Sequence, residues 1–312
     1  MQGGAGGRTQ PGNVAGIRRN FGFDEDDVHR AQDCLKLTVT DSHRPRQSAI
    51  ASLGACPGGS GLDYPRRMSA DSAPKPAPFW STPEFPRVLP FVVFLLIGSL
   101  AGKLFPGSEY WLYALKTVAV AGIVWALRGR LPEMRWQVSA AAVGVGVLVA
   151  VIWIGLDGRI PSLSALYDRI SSLWTGRAPE PQPVDPPWNP LAFFKDAPAL
   201  GWGFLAIRVL GRSLLVPMIE EVFYRSFLYR MIVRPDFLEV PLRAWNPMAF
   251  AGTCLLFGLS HPGQWLAAIA CAALYQGLVL RYGRLGDAMV AHGVTNGIIS
   301  VYAITTGQWQ FT

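Results

Sequence analysis

Ionisable side chains stand in three stretches of otherwise apolar sequence. "VPMIEEVFYRSFLYR" (216–230) carries Glu220, Glu221 and Arg225, "FGLSH" (257–261) ends in His261 just before Pro262, and "HGVTN" (292–296) sets His292 four residues before Asn296. In hydrocarbon each ionised group costs several kcal/mol unless it is paired or hydrated, so such residues mark function or tight pairing. Glu221 and Arg225 are four apart, share a helix face and can pair, and a packing salt bridge accounts for both. It leaves Glu220 unexplained, because a second carboxylate beside the first adds charge repulsion to the cost of burial unless something uses it. His261 by itself reads equally as an interfacial group at a helix end. His292 and Asn296 on one face can be helix-packing hydrogen bonds, or two donors for a developing negative charge.

Depth ties the three stretches together. If the helix with the glutamates starts on one side of the membrane, the next helix returns to that side, bringing His261 near Glu220. The last helix then comes from the opposite side and carries Asn296 to a similar depth. The residues that line up this way suit hydrolysis of an amide. A carboxylate and a histidine can hold and deprotonate a water, while a second histidine and an asparagine stabilise the oxyanion. Two other readings stay open on the residues alone: zinc held by Glu220, His261 and His292, although no HExxH is present, and a proton relay, transporter or silent scaffold.

The elements that must position these groups read as membrane helices. Half of the 312 residues are hydrophobic, and they are clustered in runs near the roughly 20 residues that span a bilayer. "VLPFVVFLLIGSLAG" (88–102), "YWLYALKTVAVAGIVWAL" (110–127) and "VSAAAVGVGVLVAVIWIGL" (138–156) come first. Later spans are expected at about 247–261, 264–281 and 285–306. The helical pattern over 200–233 exceeds one crossing, so a break is expected near Gly211 to Pro217, with Arg208 and Arg212 one turn apart before it and the glutamates after it. The fold class is therefore all-α, a polytopic bundle of about seven or eight transmembrane helices.

Residues 1–80 are rich in Gly, Pro and Ser and are expected to be disordered, with Met68 a candidate true start. Residues 81–198 hold the first spans and a proline-rich surface loop containing the amphipathic piece "LSALYDRISSLW", and 199–312 form the catalytic membrane domain. The net charge of +7 comes from arginines between spans and not from a basic stripe interleaved with aromatics, so nucleic acid is excluded as a partner. Those arginines (128, 130, 135; 230, 234, 243; 281, 284) suggest that their loops are cytoplasmic and that the site opens outward. Cys34, Cys56, Cys254 and Cys271 have no metal-like spacing, and the last two read as buried hydrophobes. Trp202 and Trp265 suit interfacial anchoring or a substrate groove.

"EEVFYR", "FGLSH" and "HGVTN" resemble, in order and spacing, the EExxxR, FxxxH and HxxxN motifs of the CAAX-protease and bacteriocin-processing (CPBP) family. The likeness covers roughly residues 200–305. It implies an intramembrane glutamic protease that needs no cofactor, in which Glu220 and His261 activate water, His292 and Asn296 form the oxyanion hole, and Glu221, Arg225 and Phe257 support the site. The implied partners are the lipid bilayer and a membrane-associated protein substrate, and the implied location is the bacterial inner membrane. Ser226 stands where the family often has glycine after the arginine, which puts close helix packing there in question. "PFVVFLLIGSLAG" and "RSFLYR" are also similar to a subgroup found beside exosortase and PEP-CTERM sorting systems, which implies a sorted envelope protein as substrate.

Overall fold

The structure is a computed structural model that describes residues 78–100, 103–176 and 187–312. The expectations for residues 1–77, including Met68, and for Cys34, Cys56 and the proline-rich stretch 177–186 lie outside the described residues. Among the described residues all regular structure is helical, in the order α1 (Phe85–Gly98), α2 (Ser108–Leu127), α3 (Ala140–Leu156), α4 (Leu163–Thr175), α5 (Pro190–Phe193), α6 (Pro198–Val233), α7 (Pro247–Leu259), α8 (Trp265–Tyr282) and α9 (Leu285–Thr306). Four helices, α2, α6, α8 and α9, are long and apolar enough to cross a membrane, and α1, α3 and α7 are shorter apolar helices. The protein is a multi-pass membrane bundle. Its outer helices expose large apolar side chains such as Leu96, Leu115, Val118 and Trp125, a surface that only lipid or a partner could cover.

The expected break in α6 is absent. Pro198 to Val233 is one helix of 36 residues, widened into π-helical turns at Gly211–Leu215 and Val222–Leu228. The reason is local. A proline inside an α-helix removes one hydrogen bond, and its ring clashes with the carbonyl four residues back. A π turn just before Pro217 relieves that clash without ending the helix. Excess length is accommodated in a bilayer by tilt, so length alone does not demand a break.

At the centre lies α9, packed on α3, α8 and α6, with Ala288, Met289 and Ala291 fully buried. Small residues set the closest approach. A Cβ on Gly146 of α3 would stand 2.6 Å from the Ala291 carbonyl oxygen and 2.8 Å from Val294 Cβ. Beside that crossing, Thr295 Oγ1 donates to the Gly146 carbonyl at 2.8 Å and Tyr275 OH donates to Thr295 Oγ1 at 2.6 Å, which fastens α3, α8 and α9 together.

One end of the bundle is tied by a buried polar network centred on Glu133, in the connection between α2 and α3. Its carboxylate accepts from Arg87 of α1 at 2.8 Å and from the Ser226 hydroxyl of α6, while Arg230 Nη2 donates to Ser226 Oγ at 2.7 Å. Ser226 is thus a fully buried polar node and not a packing defect. At the same end Asp287 accepts from Ser139 at 2.7 Å and from Arg284 at 2.8 Å. The arginine-bearing loops therefore gather on one side. At the other end α4, capped by Ser162, exposes Tyr167, Leu173 and Trp174, as suits a helix lying in the headgroup layer.

Gly146→Val is expected to push α3 off α9 and destabilise the fold by about 1–3 kcal/mol, the usual penalty of overpacking a well-packed interior. Thermal unfolding of the purified protein in detergent, against Gly144→Val at an open position, measures it.

Candidate active site

Glu220, His261, His292 and Asn296 all line one cavity of about 260 Å³. Adjacent residues on a helix point about 100° apart, and here that rotation separates the two glutamates. Glu220 faces the cavity, whereas Glu221 has no exposed surface and turns into the bundle.

Within the bundle Glu221 has two partners. Arg225 Nε lies 3.1 Å from its Oε2, and His292 Nδ1 lies 2.9 Å from its Oε1. A carboxylate oxygen accepts, so in this contact His292 donates from Nδ1. The guanidinium of Arg225 is itself enclosed by aromatic rings, 4.9 Å from the centre of Phe257, 5.7 Å from Tyr224 and 5.8 Å from Tyr275. These contacts use the ring faces that attract a cation. Phe257 then stacks on His261, with ring centres 4.6 Å apart.

His261 sits just past the end of α7, where Pro262 stops the helix. Its Nδ1 lies 2.9 Å from the Phe257 carbonyl oxygen. A carbonyl only accepts, so Nδ1 donates here and Nε2 is the ring nitrogen left for the cavity. Trp153 of α3 meets the imidazole edge-on at 5.6 Å. The loop after His261 is clamped from the α3–α4 connection: Gln264 donates to Asp157 at 2.6 Å, Trp265 Nε1 to the Pro161 carbonyl at 3.1 Å, and Leu163 N–H to the Pro262 carbonyl at 2.9 Å. Trp265 is engaged in that clamp, and Trp202 is exposed; neither lines the cavity.

Asn296 is held by the irregularity in α6. In the first π turn the Val216 N–H reaches back to the Gly211 carbonyl, and Pro217 has no N–H to offer. The Arg212 carbonyl therefore lacks its helical donor, and Asn296 Nδ2 supplies one at 2.8 Å. The next carbonyl, that of Ser213, points at Gly293, where a Cβ would come within 2.6 Å. Glycine between His292 and Asn296 is what lets α9 approach. One amide hydrogen of Asn296 is thus used by the scaffold, and a second remains for a ligand.

Glu220 Oε2 is buried and has no hydrogen-bond partner among the described residues. Such an oxygen is costly to leave unmet, and it is the acceptor available to a bound water or substrate N–H. Among the described residues, no three or more His, Cys, Asp and Glu side chains are grouped to hold a metal ion. Glu220, His261 and His292 share the cavity but do not form such a ligand set.

Residues 202–298 match the model of the type II CAAX prenyl endopeptidase Rce1-like family. The match contains all three motifs and agrees with the resemblance to the CPBP family, and it supports a membrane endopeptidase. It carries nothing toward the exosortase-linked subgroup. No curated protein and no solved structure matches the chain.

Several cavity residues carry no signal in the motifs. Tyr275 and Thr295 look like ordinary span residues, and Lys116 of α2 lies outside the matched segment. Arg208 and Arg212 are visible as cations one turn apart, yet spacing gives no hint that they face the same cavity as Glu220.

Asn296→Asp, which sets a carboxyl oxygen against the Arg212 carbonyl in place of a donor, is expected to lower stability by about 1–3 kcal/mol through an unmet buried acceptor. Chemical denaturation in micelles, with Asn296→Gln as the amide-retaining control, checks this.

Proposed function

We propose that this chain is an intramembrane endopeptidase of CAAX type that hydrolyses a peptide bond in a membrane-associated protein substrate, with no metal or other cofactor. The observation that carries the reading is the buried Oε2 of Glu220, without a hydrogen-bond partner among the described residues, on the same cavity as His261, whose Nδ1 is engaged by the Phe257 carbonyl. The carboxylate and the imidazole hold a water, and the pair takes its proton as the oxygen attacks the carbonyl carbon of the substrate. The carbonyl π electrons move onto oxygen, and His292 and Asn296 donate to that oxyanion. When the tetrahedral intermediate collapses, the C–N bond breaks and the proton held by Glu220 and His261 passes to the leaving amine.

The proposed role of His292 sets a condition on its charge. With Nδ1–H given to Glu221, the ring can donate to the oxyanion only through a second proton on Nε2. The fully buried Glu221 carboxylate accepts from Nδ1, and Arg225 beside it holds the carboxylate in place. Glu221, Arg225 and Phe257 are positioning residues in this scheme. A bacterial inner-membrane location follows from the same reading, and so does a substrate that enters from the bilayer or its surface.

Cleavage of membrane-associated proteins by the protein in proteoliposomes tests the proposal. Glu220→Gln and His261→Ala are expected to lose activity by at least about a hundredfold, the usual scale of general acid–base catalysis, and wild-type activity is expected to survive a zinc chelator. Glu221→Gln is expected to lower kcat with little change in KM, because it removes a charge felt in the transition state. Activity abolished by the chelator and restored by zinc would replace the water-activation scheme with a metal site. Indifference to the Glu220 and His261 substitutions would end the protease reading.

A further inference from the structure

The end of α7 leaves one carbonyl without a backbone donor. The Ser260 N–H turns back to the Leu256 carbonyl at 3.1 Å and the His261 N–H to the Gly258 carbonyl at 3.0 Å, so both pass over the carbonyl of Phe257 between them. Carbonyls of a last helical turn are met by side chains or water where the backbone does not reach them. Here two side chains do so: Ser260 Oγ donates to the Phe257 oxygen at 2.8 Å and His261 Nδ1 at 2.9 Å. A serine that bonds back to a nearby carbonyl is an ordinary feature of helices and explains the first contact. It does not explain why two other groups converge on the same hydroxyl. Tyr224 OH donates to Ser260 Oγ at 3.2 Å, and His261 Nδ1 lies 3.1 Å from it. Ser260 has one proton, already given to Phe257, so its oxygen accepts from both. Tyr224 reaches across from the second π turn of α6, with its ring buried and set edge-on to Phe257 at 5.0 Å and to Phe91 of α1 at 5.6 Å. A phenylalanine would fill the same space, and the hydroxyl adds the bond to Ser260.

We propose that Ser260 and Tyr224 are positioning residues that keep a proton on His261 Nδ1 and so present Nε2 to the cavity as an acceptor. The proposal rests on the endopeptidase reading and adds to it the groups that prepare the base. A neutral imidazole carries one N–H, and the hydrogen bond made at one ring nitrogen decides where that proton sits. At His261 both neighbours of Nδ1 offer it lone pairs alone. In the other tautomer the Ser260 hydroxyl would have to turn toward Nδ1, and the Phe257 carbonyl would lose both of its donors while facing a bare nitrogen. An unmet acceptor at that position is the costly outcome, and Nε2 would then hold a proton and could not take one from water. Tyr224 opposes the turn, because its own O–H needs the Ser260 lone pair. Neither Ser260 nor Tyr224 is among the described residues that line the cavity, so they act on the reaction through His261. Tyr224 stands next to Arg225 and Ser260 next to His261, and the bond between them ties α6 to α7 beside the charged groups of both motifs.

The full chain, with its histidines labelled by the heavy nitrogen isotope, is reconstituted in liposomes in mildly alkaline buffer and examined by solid-state NMR. A bare ring nitrogen and a protonated one resonate far apart, and subtracting the spectrum of His261→Gln assigns His261. A neutral ring with its proton on Nδ1 is expected. Ser260→Ala is expected to raise the ratio of the Nε2–H to the Nδ1–H form at least about fivefold, the scale of one net hydrogen bond. Tyr224→Phe is expected to raise it less, and Ser260→Thr, which keeps the hydroxyl, to match wild type. A wild-type ring that carries its proton on Nε2 or is doubly protonated would overturn the proposal, and so would a ratio unmoved in both Ser260→Ala and Tyr224→Phe. If Ser260→Ala does not fold, Tyr224→Phe decides, because it keeps the ring that packs. Hydrolysis of a dye-quenched pool of randomised apolar peptides by the same proteins gives the second readout. A rate roughly tenfold lower in Ser260→Ala and restored in Ser260→Thr is expected, a part of the full effect of a general base. A rate that does not follow the tautomer would also overturn the proposal. The spectra need no substrate, so their failure counts against the positioning role alone, while indifference to Glu220→Gln counts against the endopeptidase.

Discussion

A carboxylate with no exposed surface is tolerable inside a membrane bundle only if the groups around it keep its charge satisfied, and Glu221 is built on that condition. Arg225 stands at 3.1 Å on one oxygen and His292 at 2.9 Å on the other. Breaking such a pair by removing one partner strands a buried charge at a cost of about 3–5 kcal/mol. The contacts run on from there. Arg225 lies on the face of Phe257, and Phe257 stacks on His261. His292, Glu221, Arg225, Phe257 and His261 therefore form one chain of contacts across α9, α6 and α7, and it fixes the relative depth of the three motifs. The distance between Glu220 and the two imidazoles is a consequence of where Glu221 is satisfied.

A second constraint acts along the same helices with backbone groups alone. Pro217 deprives α6 of a donor, the π turn before it turns the Arg212 and Ser213 carbonyls toward α9, and α9 answers with the amide of Asn296 and the missing side chain of Gly293. An unmet carbonyl in hydrocarbon costs as much as an unmet side chain, so this join is as demanding as the ion pair. Asn296 thus has two tasks. It fills a backbone defect and it borders the cavity, and the first fixes the geometry available to the second.

This division explains what was legible in the sequence. The long apolar runs and the boundaries set by Pro247 and Thr306 could be read directly, because hydrophobic length and helix punctuation are local properties. The pairing of Glu221 with Arg225 followed from an i, i+4 spacing. Three things could not be read. A proline in an apolar helix announces a disturbance, but whether the helix breaks or widens depends on whether a neighbour can take up the freed carbonyls, and that neighbour lies 79 residues further on, at Asn296. The meaning of Ser226 depended on Glu133, a loop residue with no periodicity to mark it. Lys116 is a single charge within the run 110–127, and only tertiary packing brings it to the cavity that Arg208 and Arg212 also line.

Adjacent glutamates show why sequence spacing and chemistry must be argued together. One helical step turns Glu220 about 100° from Glu221, and that step takes one carboxylate from a site with an arginine and a histidine beside it to one with neither. The paired glutamate cannot serve as a base without abandoning Arg225 and His292, so the bundle's cohesion opposes it. The other glutamate has the opposite problem, a buried oxygen that nothing among the described residues satisfies, and a polar guest relieves it. In this arrangement the stability of the bundle and the reactivity of the cavity rest on neighbouring residues of one helix, and neither glutamate can take over the other's part.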